Sequence, residues 1–230
     1  ACVRRGPGGP RRGARLALTA RNAGALAQLA IPDAICLPAD VTDAAQLAVA
    51  AARLQADWGG VDLVLYLAGD YLPMRADTFD LARAEALLAV NFTGAMKTAA
   101  QVLPMLQPGG GIVFVASVAG YRGLPKSLAY GPGKAALIHF AECLHLDLAP
   151  RGIGVWLVNP GFVATRLTAQ NDFAMPALLT PESAAKATVN ALASGKFEIH
   201  YPKRFTRILK LLSHLPYWAY FPLVRRLTGA

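Results

Sequence analysis

"GIVFVASVAGYRGLPKSLAYGPGKAAL", residues 111–137, runs from an unbroken apolar stretch through a glycine-rich polar link into a second apolar segment with helical spacing. A run that is apolar throughout, rather than at alternate positions, reads as a strand buried on both faces, which implies a parallel sheet covered by helices on either side. The same pattern recurs in "RLALTA" (15–20), "AICLPA" (34–39), "VDLVLYLAG" (61–69), "GVWLVN" (154–159) and "KFEIHYP" (196–202). Helix-periodic segments at 22–30, 42–57, 77–106, 126–149 and 181–194 separate these runs. Strand and helix alternating in this way predict a doubly wound α/β fold with a mostly parallel sheet. The length of 230 residues suits one such domain over 1–202, followed by a basic amphipathic segment at 203–230.

In a sheet of this kind ligands collect beyond the carboxyl ends of the strands. The residues found there are Arg21, Asp40 with Val41, Ala68 with Gly69, Ser117, and Asn159 with Pro160 and Gly161. Tyr130 and Lys134 follow Ser117, four positions apart. A phenol titrates near pH 10, so Tyr130 needs help to exchange a proton near neutrality, and a cation one helical turn away favours its ionised form. Pro132 lies between the two. If the helix starts near Ala129, Pro132 falls in its first turn, where a missing N–H has no intrahelical partner to lose.

The net charge of +9 is carried by the two ends. Residues 1–21 hold six arginines and no acid, residues 196–230 hold seven Lys/Arg against Glu198, and the body between is slightly acidic. The body shows no basic stripe with interleaved aromatics, so nucleic acid is not the expected partner. Cys2, Cys36 and Cys143 are scattered, with no CxxC and no clustered histidine. They read as small buried hydrophobes in a reducing compartment, with no metal site. No run of eighteen apolar residues occurs, and a cytoplasmic protein is expected.

The order and spacing of Asn91 in "AVNFTG", Ser117, Tyr130 and Lys134 resemble the short-chain dehydrogenase/reductase family from about Arg15 to Pro202. The resemblance implies a Rossmann-type three-layer sandwich and an NAD(P)-dependent oxidoreductase. On it, Ser117 orients the substrate oxygen, Tyr130 is the general acid/base, Lys134 lowers the tyrosine pKa and binds the nicotinamide ribose, and Asn91 supports a proton-relaying water. It also places Arg21 where NAD-preferring members carry an aspartate. An arginine there can pair with a 2′-phosphate, so NADP(H) is favoured over NAD(H). Asp40 and Val41 in "ADVTD" resemble the adenine contacts, Ala68 and Gly69 the turn under the cofactor, and Pro160, Gly161, Val163 and Thr165 in "NPGFVAT" the carboxamide loop.

Two features depart from the family. Its N-N-A-G reads "YLAG" (66–69) here, and "CVRRGPGGPRRGA" (2–14) offers neither an apolar strand nor the spacing of G-x-x-x-G-x-G. Gly6, Gly8 and Gly9 are therefore not read as phosphate-binding. The first strand is expected to be missing, leaving the sheet open at its centre and the chain an N-terminally incomplete enzyme. An upstream coding segment is expected to supply the strand and its glycine turn.

On the substrate side, Phe162, Leu167, Phe173 and Met175 in "FVATRLTAQNDFAMP" (162–176) point to a lipophilic substrate or to a lid packed on the body. Phe205, Ile208, Leu209, Leu212 and Leu215 recur at helical spacing opposite Lys203, Arg204, Arg207 and Lys210, ahead of an aromatic stretch broken by Pro216 and Pro222. That pattern fits a peripheral membrane contact or packing on the body or on a sister subunit, a homo-oligomer being expected. The enzyme reading is an oxidoreductase interconverting a carbonyl and a secondary alcohol. The alternative is a cofactor-deficient scaffold or membrane-surface binding protein, which cofactor titration would separate from it.

Overall fold

The computed structural model describes residues 1–4, 13–171, 173 and 175–229, and among them seven strands form one sheet. They are β1 (Cys2–Arg4), β2 (Arg15–Leu18), β3 (Ile35–Cys36), β4 (Val61–Tyr66), β5 (Leu106–Val115), β6 (Gly154–Pro160) and β7 (Glu198–Tyr201). Their order across the sheet is β3-β2-β1-β4-β5-β6-β7. The β2–β3, β4–β5, β5–β6 and β6–β7 pairs are parallel, as the continuous apolar runs require.

Helices cover both faces: α1 (Ala23–Gln28), α2 (Ala44–Trp58), α3 (Leu81–Leu88), α4 (Gly94–Val102), α5 (Tyr130–Leu148), α6 (Pro181–Leu192), α7 (Lys203–Ser213) and α8 (Tyr217–Thr228). Ile112 and Phe114 pack on one face with Leu137 and Ala141 of α5 and Ala95 and Ala99 of α4. Val113 and Val158 pack on the other with Ala184 of α6 and Ile199. The Rossmann-type sandwich expected from the sequence is the observed architecture.

Two sequence expectations change at the ends of the chain. The central place between β2 and β4 is held by β1, which runs antiparallel to both, with Cys2 opposite Ala17 and Val64. Three residues are too few to show a period in sequence. Backbone pairing on both sides nevertheless satisfies the amides that a gap would leave orphaned. Because β1 runs backwards, it ends at Arg4 beside Arg15, on the sheet edge away from the parallel strands' carboxyl ends, where Arg4 pairs with Asp62 at 3.7 Å. Gly6, Gly8 and Gly9 lie outside the described residues.

At the other terminus, Pro222 sits inside α8 without ending it. Tyr220 and Val224 are buried, whereas Ile208, expected on the buried stripe of α7, is exposed. Cys36 and Cys143 are exposed too, and only Cys2 is buried as read.

Candidate active site

The link between β5 and α5 brings the central residues together. Ala116 continues the pairing of β5 by donating its N–H to the Val158 carbonyl, and Ser117 then starts a tight turn, its hydroxyl accepting from the Ala119 N–H at 3.1 Å. The turn lies flat on α5: a Cβ on Gly120 would fall 2.8 Å from the Lys134 carbonyl carbon. α5 begins at Tyr130, so Pro132 occupies its first turn and the helix runs on to Leu148. The "GPG" interval therefore keeps Tyr130 and Lys134 one turn apart.

The Ser117 hydroxyl lies near enough to the Tyr130 phenol to favour its ionised form. Lys134 is buried; its Nζ donates to the Val115 carbonyl at 3.0 Å and lies 5.6 Å from the centre of the Tyr130 ring. Burial drives both side chains toward their neutral forms. It raises the Tyr130 pKa above its ordinary value, which the nearby Ser117 hydroxyl only partly offsets, and it brings Lys134 down to about 8.

Asn91 stands in a π-helical turn, Ala89–Thr93, between α3 and α4, rather than in one continuous helix over 77–106. Such turns often mark functional positions. Asn91 is buried, and its amide holds the backbone of Asp70 just after β4. Tyr66 reaches the same turn, its hydroxyl donating to the Val90 carbonyl at 2.5 Å. Its path explains Gly94, where a Cβ would fall 2.7 Å from the phenol oxygen. Gly69 faces the cluster: a Cβ there would sit 3.2 Å from Asn91 Oδ1 and 3.6 Å from Lys134 Nζ. Ala68 beside it packs against the core.

At the β2 end, Arg21 Nη1 lies 3.8 Å from Asp40 Oδ2, with the guanidinium largely exposed. Asp40 accepts from the Thr42 N–H and hydroxyl, both at 2.8 Å, and these bonds hold its carboxyl below the usual range. The N-cap of α2 steadies this loop, since Gln46 donates to the capping Asp43 and accepts from the Asp40 N–H. Val41 packs beneath it.

Pro160 closes β6, and Gly161 donates to the Tyr201 carbonyl at 2.8 Å. Val163 and Thr165 continue into a loop tied by Thr168, which donates to the Val163 carbonyl and accepts from the Thr165 N–H. Phe162 packs between Phe173 and Phe205, so the apolar residues of this loop serve at least in part to seat it on α7.

Two groups were not singled out from sequence. Tyr71 stands edge-on to Tyr130, ring centres 5.0 Å apart. Its position just past the β4 mouth was the available signal. Glu198 on β7 accepts from Tyr121 at 2.6 Å and Asn159 at 2.9 Å, and pairs with Lys210 of α7. Burial alone would raise its pKa, but these donors together bring it below the ordinary carboxylate value. Nothing in the spacing of four residues from four elements could have joined them.

The donor set suits the nicotinamide end of a dinucleotide. Lys134 commits one of its three protons to protein, and Gly69 leaves its approach open. Among the described residues no glycine-rich turn follows a strand at this edge, because β1 points the other way.

The chain matches the family model described as short chain dehydrogenase over residues 10–175. It is 36% identical over 178 residues to an uncharacterized oxidoreductase of Myxococcus xanthus (strain DK1622), covering 75% of this chain and 70% of that one. It is 30% identical over 172 residues to the ketoacyl reductase HetN of Nostoc sp. (strain PCC 7120), covering 72% of this chain and 60% of the relative. Among solved structures, a short chain dehydrogenase from Burkholderia cenocepacia J2315 in complex with NADP superposes with a TM-score of 0.76 at 25% identity, covering 85% of this chain and 80% of that one.

Proposed function

We propose, from the premise that this chain belongs to the short-chain dehydrogenase family and so is an oxidoreductase acting on CH–OH groups with NAD(P), that Tyr130 moves the proton in interconverting a carbonyl and a secondary alcohol on a lipophilic substrate. The observation that carries this reading is the convergence of Ser117, Tyr130 and the buried Lys134, whose Nζ lies 5.6 Å from the Tyr130 ring centre. When bound, NADP(H) supplies or accepts the hydride at the substrate carbon.

Each residue has a separate task. Ser117 holds the reacting oxygen beside the phenol. Tyr130, kept protonated by burial, gives its proton to that oxygen as negative charge develops there, and takes it back in the reverse direction. Lys134 offers its two uncommitted protons to ribose hydroxyls. Arg21 would meet a 2′-phosphate, Asp40 and Val41 the adenine, Ala68 and Gly69 the ribose side, and Pro160, Gly161, Val163 and Thr165 the carboxamide. The exposed Arg21 guanidinium favours NADP(H) over NAD(H), in keeping with the NADP complex of the Burkholderia protein. Carbonyl reduction is in keeping with the name of the Nostoc relative.

A second reading, a scaffold that does not hold the cofactor, draws on the reversed β1 and the lack of a described turn for the pyrophosphate. Fluorescence titration of the full chain with NADPH separates the two. Saturable binding that weakens on substituting Lys134 supports the enzyme, and no binding up to millimolar cofactor supports the scaffold.

A further inference from the structure

The C-terminal helices do two things at once. Their inner side is fixed to the body: Thr206, Tyr220 and Val224 are buried, and the Tyr220 hydroxyl donates to the Gly123 carbonyl at 2.8 Å. Arg122 donates to the carbonyls of Ser213 and Leu215, where α7 gives way to α8, and lies against the rings of Tyr217 and Tyr220 at 4.7 and 4.1 Å. Lys210 is tied to Glu198. The orientation of both helices is therefore set, and so is what they turn outward.

That outward side is apolar and cationic. Ile208 and Leu211, three apart on α7, are exposed, Leu211 by 70%. On α8, Trp218 is 81% exposed and Tyr217 stacks on the exposed Phe221 at 5.4 Å. Lys203, Arg204, Arg207, Arg225 and Arg226 are exposed among them, and residues 199–230 contain no acid. Folding did not bury these side chains, and single exposed apolar residues need no explanation, but five on two consecutive helices do.

We propose that this face seats the protein on an anionic phospholipid surface. Charge decides between the occupants. A second copy docking the same face would set cations against cations with no carboxylate to pair them. Anionic headgroups complement all five, while Trp218, Tyr217 and Phe221 enter the headgroup boundary, where aromatic side chains are favoured. Neither helix crosses: among the described residues no helix is long and apolar enough to span a membrane. The inner side of α7 rests on the loop after β6 through Phe205, whose ring centre lies 5.7 Å from that of Phe162. The seating itself does not depend on the chemistry assigned to Tyr130.

The test is sedimentation of the full chain with phosphatidylcholine vesicles, with and without phosphatidylglycerol. Trp218 is a reporter, since Trp58 is buried and Trp156 is partly covered. Expected is at least tenfold more binding to the anionic vesicles with a blue shift of tryptophan emission, both lost at high salt. Trp218→Ser with Phe221→Ser, and separately Arg225→Glu with Arg226→Glu, should each reduce binding at least tenfold without changing the melting temperature or the oligomeric state. Equal binding to both vesicles, or none, overturns the proposal. So does dissociation of an oligomer by either pair of substitutions, which would assign the face to a second copy. If the serine pair fails to fold, the charge-reversed pair decides alone.

Discussion

Asn91 brackets the backbone of Asp70: its Nδ2 donates to the Asp70 carbonyl at 2.8 Å, and its Oδ1 receives the Asp70 N–H at 3.2 Å. Both ends of the buried amide are thus spent on fixing the chain that carries Gly69 on one side and Tyr71 on the other. Asn91→Ala should cost about 1–3 kcal/mol by leaving those backbone groups without partners. Turnover should fall with it, as Tyr71 loses its place against Tyr130. Urea unfolding and steady-state kinetics check the two effects, and unchanged stability would mean that water replaces the amide fully.

Tyr130→Phe keeps the ring against Tyr71 and removes the proton. Turnover should fall by about 10²–10⁴-fold, the usual contribution of a general acid/base, with NADPH affinity within a few-fold of the parent. A variant still within about tenfold of parental turnover would exclude Tyr130 from proton transfer.

Lys134 gives a pH dependence of defined sign. Its pKa in the folded protein is lowered to about 8, so between pH 8 and the ordinary lysine value near 10.5 the unfolded chain binds the extra proton. The burial penalty is fully present below pH 8 and is relieved as pH rises through that window. The melting temperature of Lys134→Met relative to the parent should therefore be highest at neutral pH and the advantage should shrink toward pH 10. A constant difference from pH 7 to 10 would show that Lys134 is not desolvated as found.

Gly94→Ala should destabilise by about 1–3 kcal/mol, the range for overpacking a filled site, because the new methyl meets the Tyr66 hydroxyl at 2.7 Å and the Ala89 carbonyl at 3.0 Å. Adding Tyr66→Phe removes the first clash and leaves the second. Partial recovery in the double variant, measured by urea denaturation, identifies the phenol as the obstacle, and none would place the strain in the helix backbone.

Arg21→Asp places two carboxylates together, since Asp40 lies within 3.8 Å of the present guanidinium. A 2′-phosphate would be repelled while ribose hydroxyls could still be bonded. The ratio of kcat/KM for NADPH to that for NADH should fall at least tenfold, and an unchanged ratio would remove Arg21 from the phosphate site.

The alternation of apolar runs with helix-periodic segments was enough to predict the layered sheet, because burial on both faces leaves no alternative pattern for a parallel strand. Order and spacing were likewise enough to place Ser117, Tyr130 and Lys134 on one link, since a strand end, a turn and a helix start are local features. Pro132 was readable for the same reason. Where contacts join distant segments, the sequence was silent. β1 holds the centre of the sheet through backbone pairing that any three residues could make, so Cys2–Arg4 carries no signature of its place or of its reversed direction. Burial pushes the Tyr130 pKa up and that of Lys134 down, and how buried each is depends on what packs around it, which spacing alone does not tell. The periodicity of 203–230 announced two-sided helices. Only the contacts of Arg122 and Glu198 decided which side faces the body and which, with Leu211 and Trp218, is left to the outside.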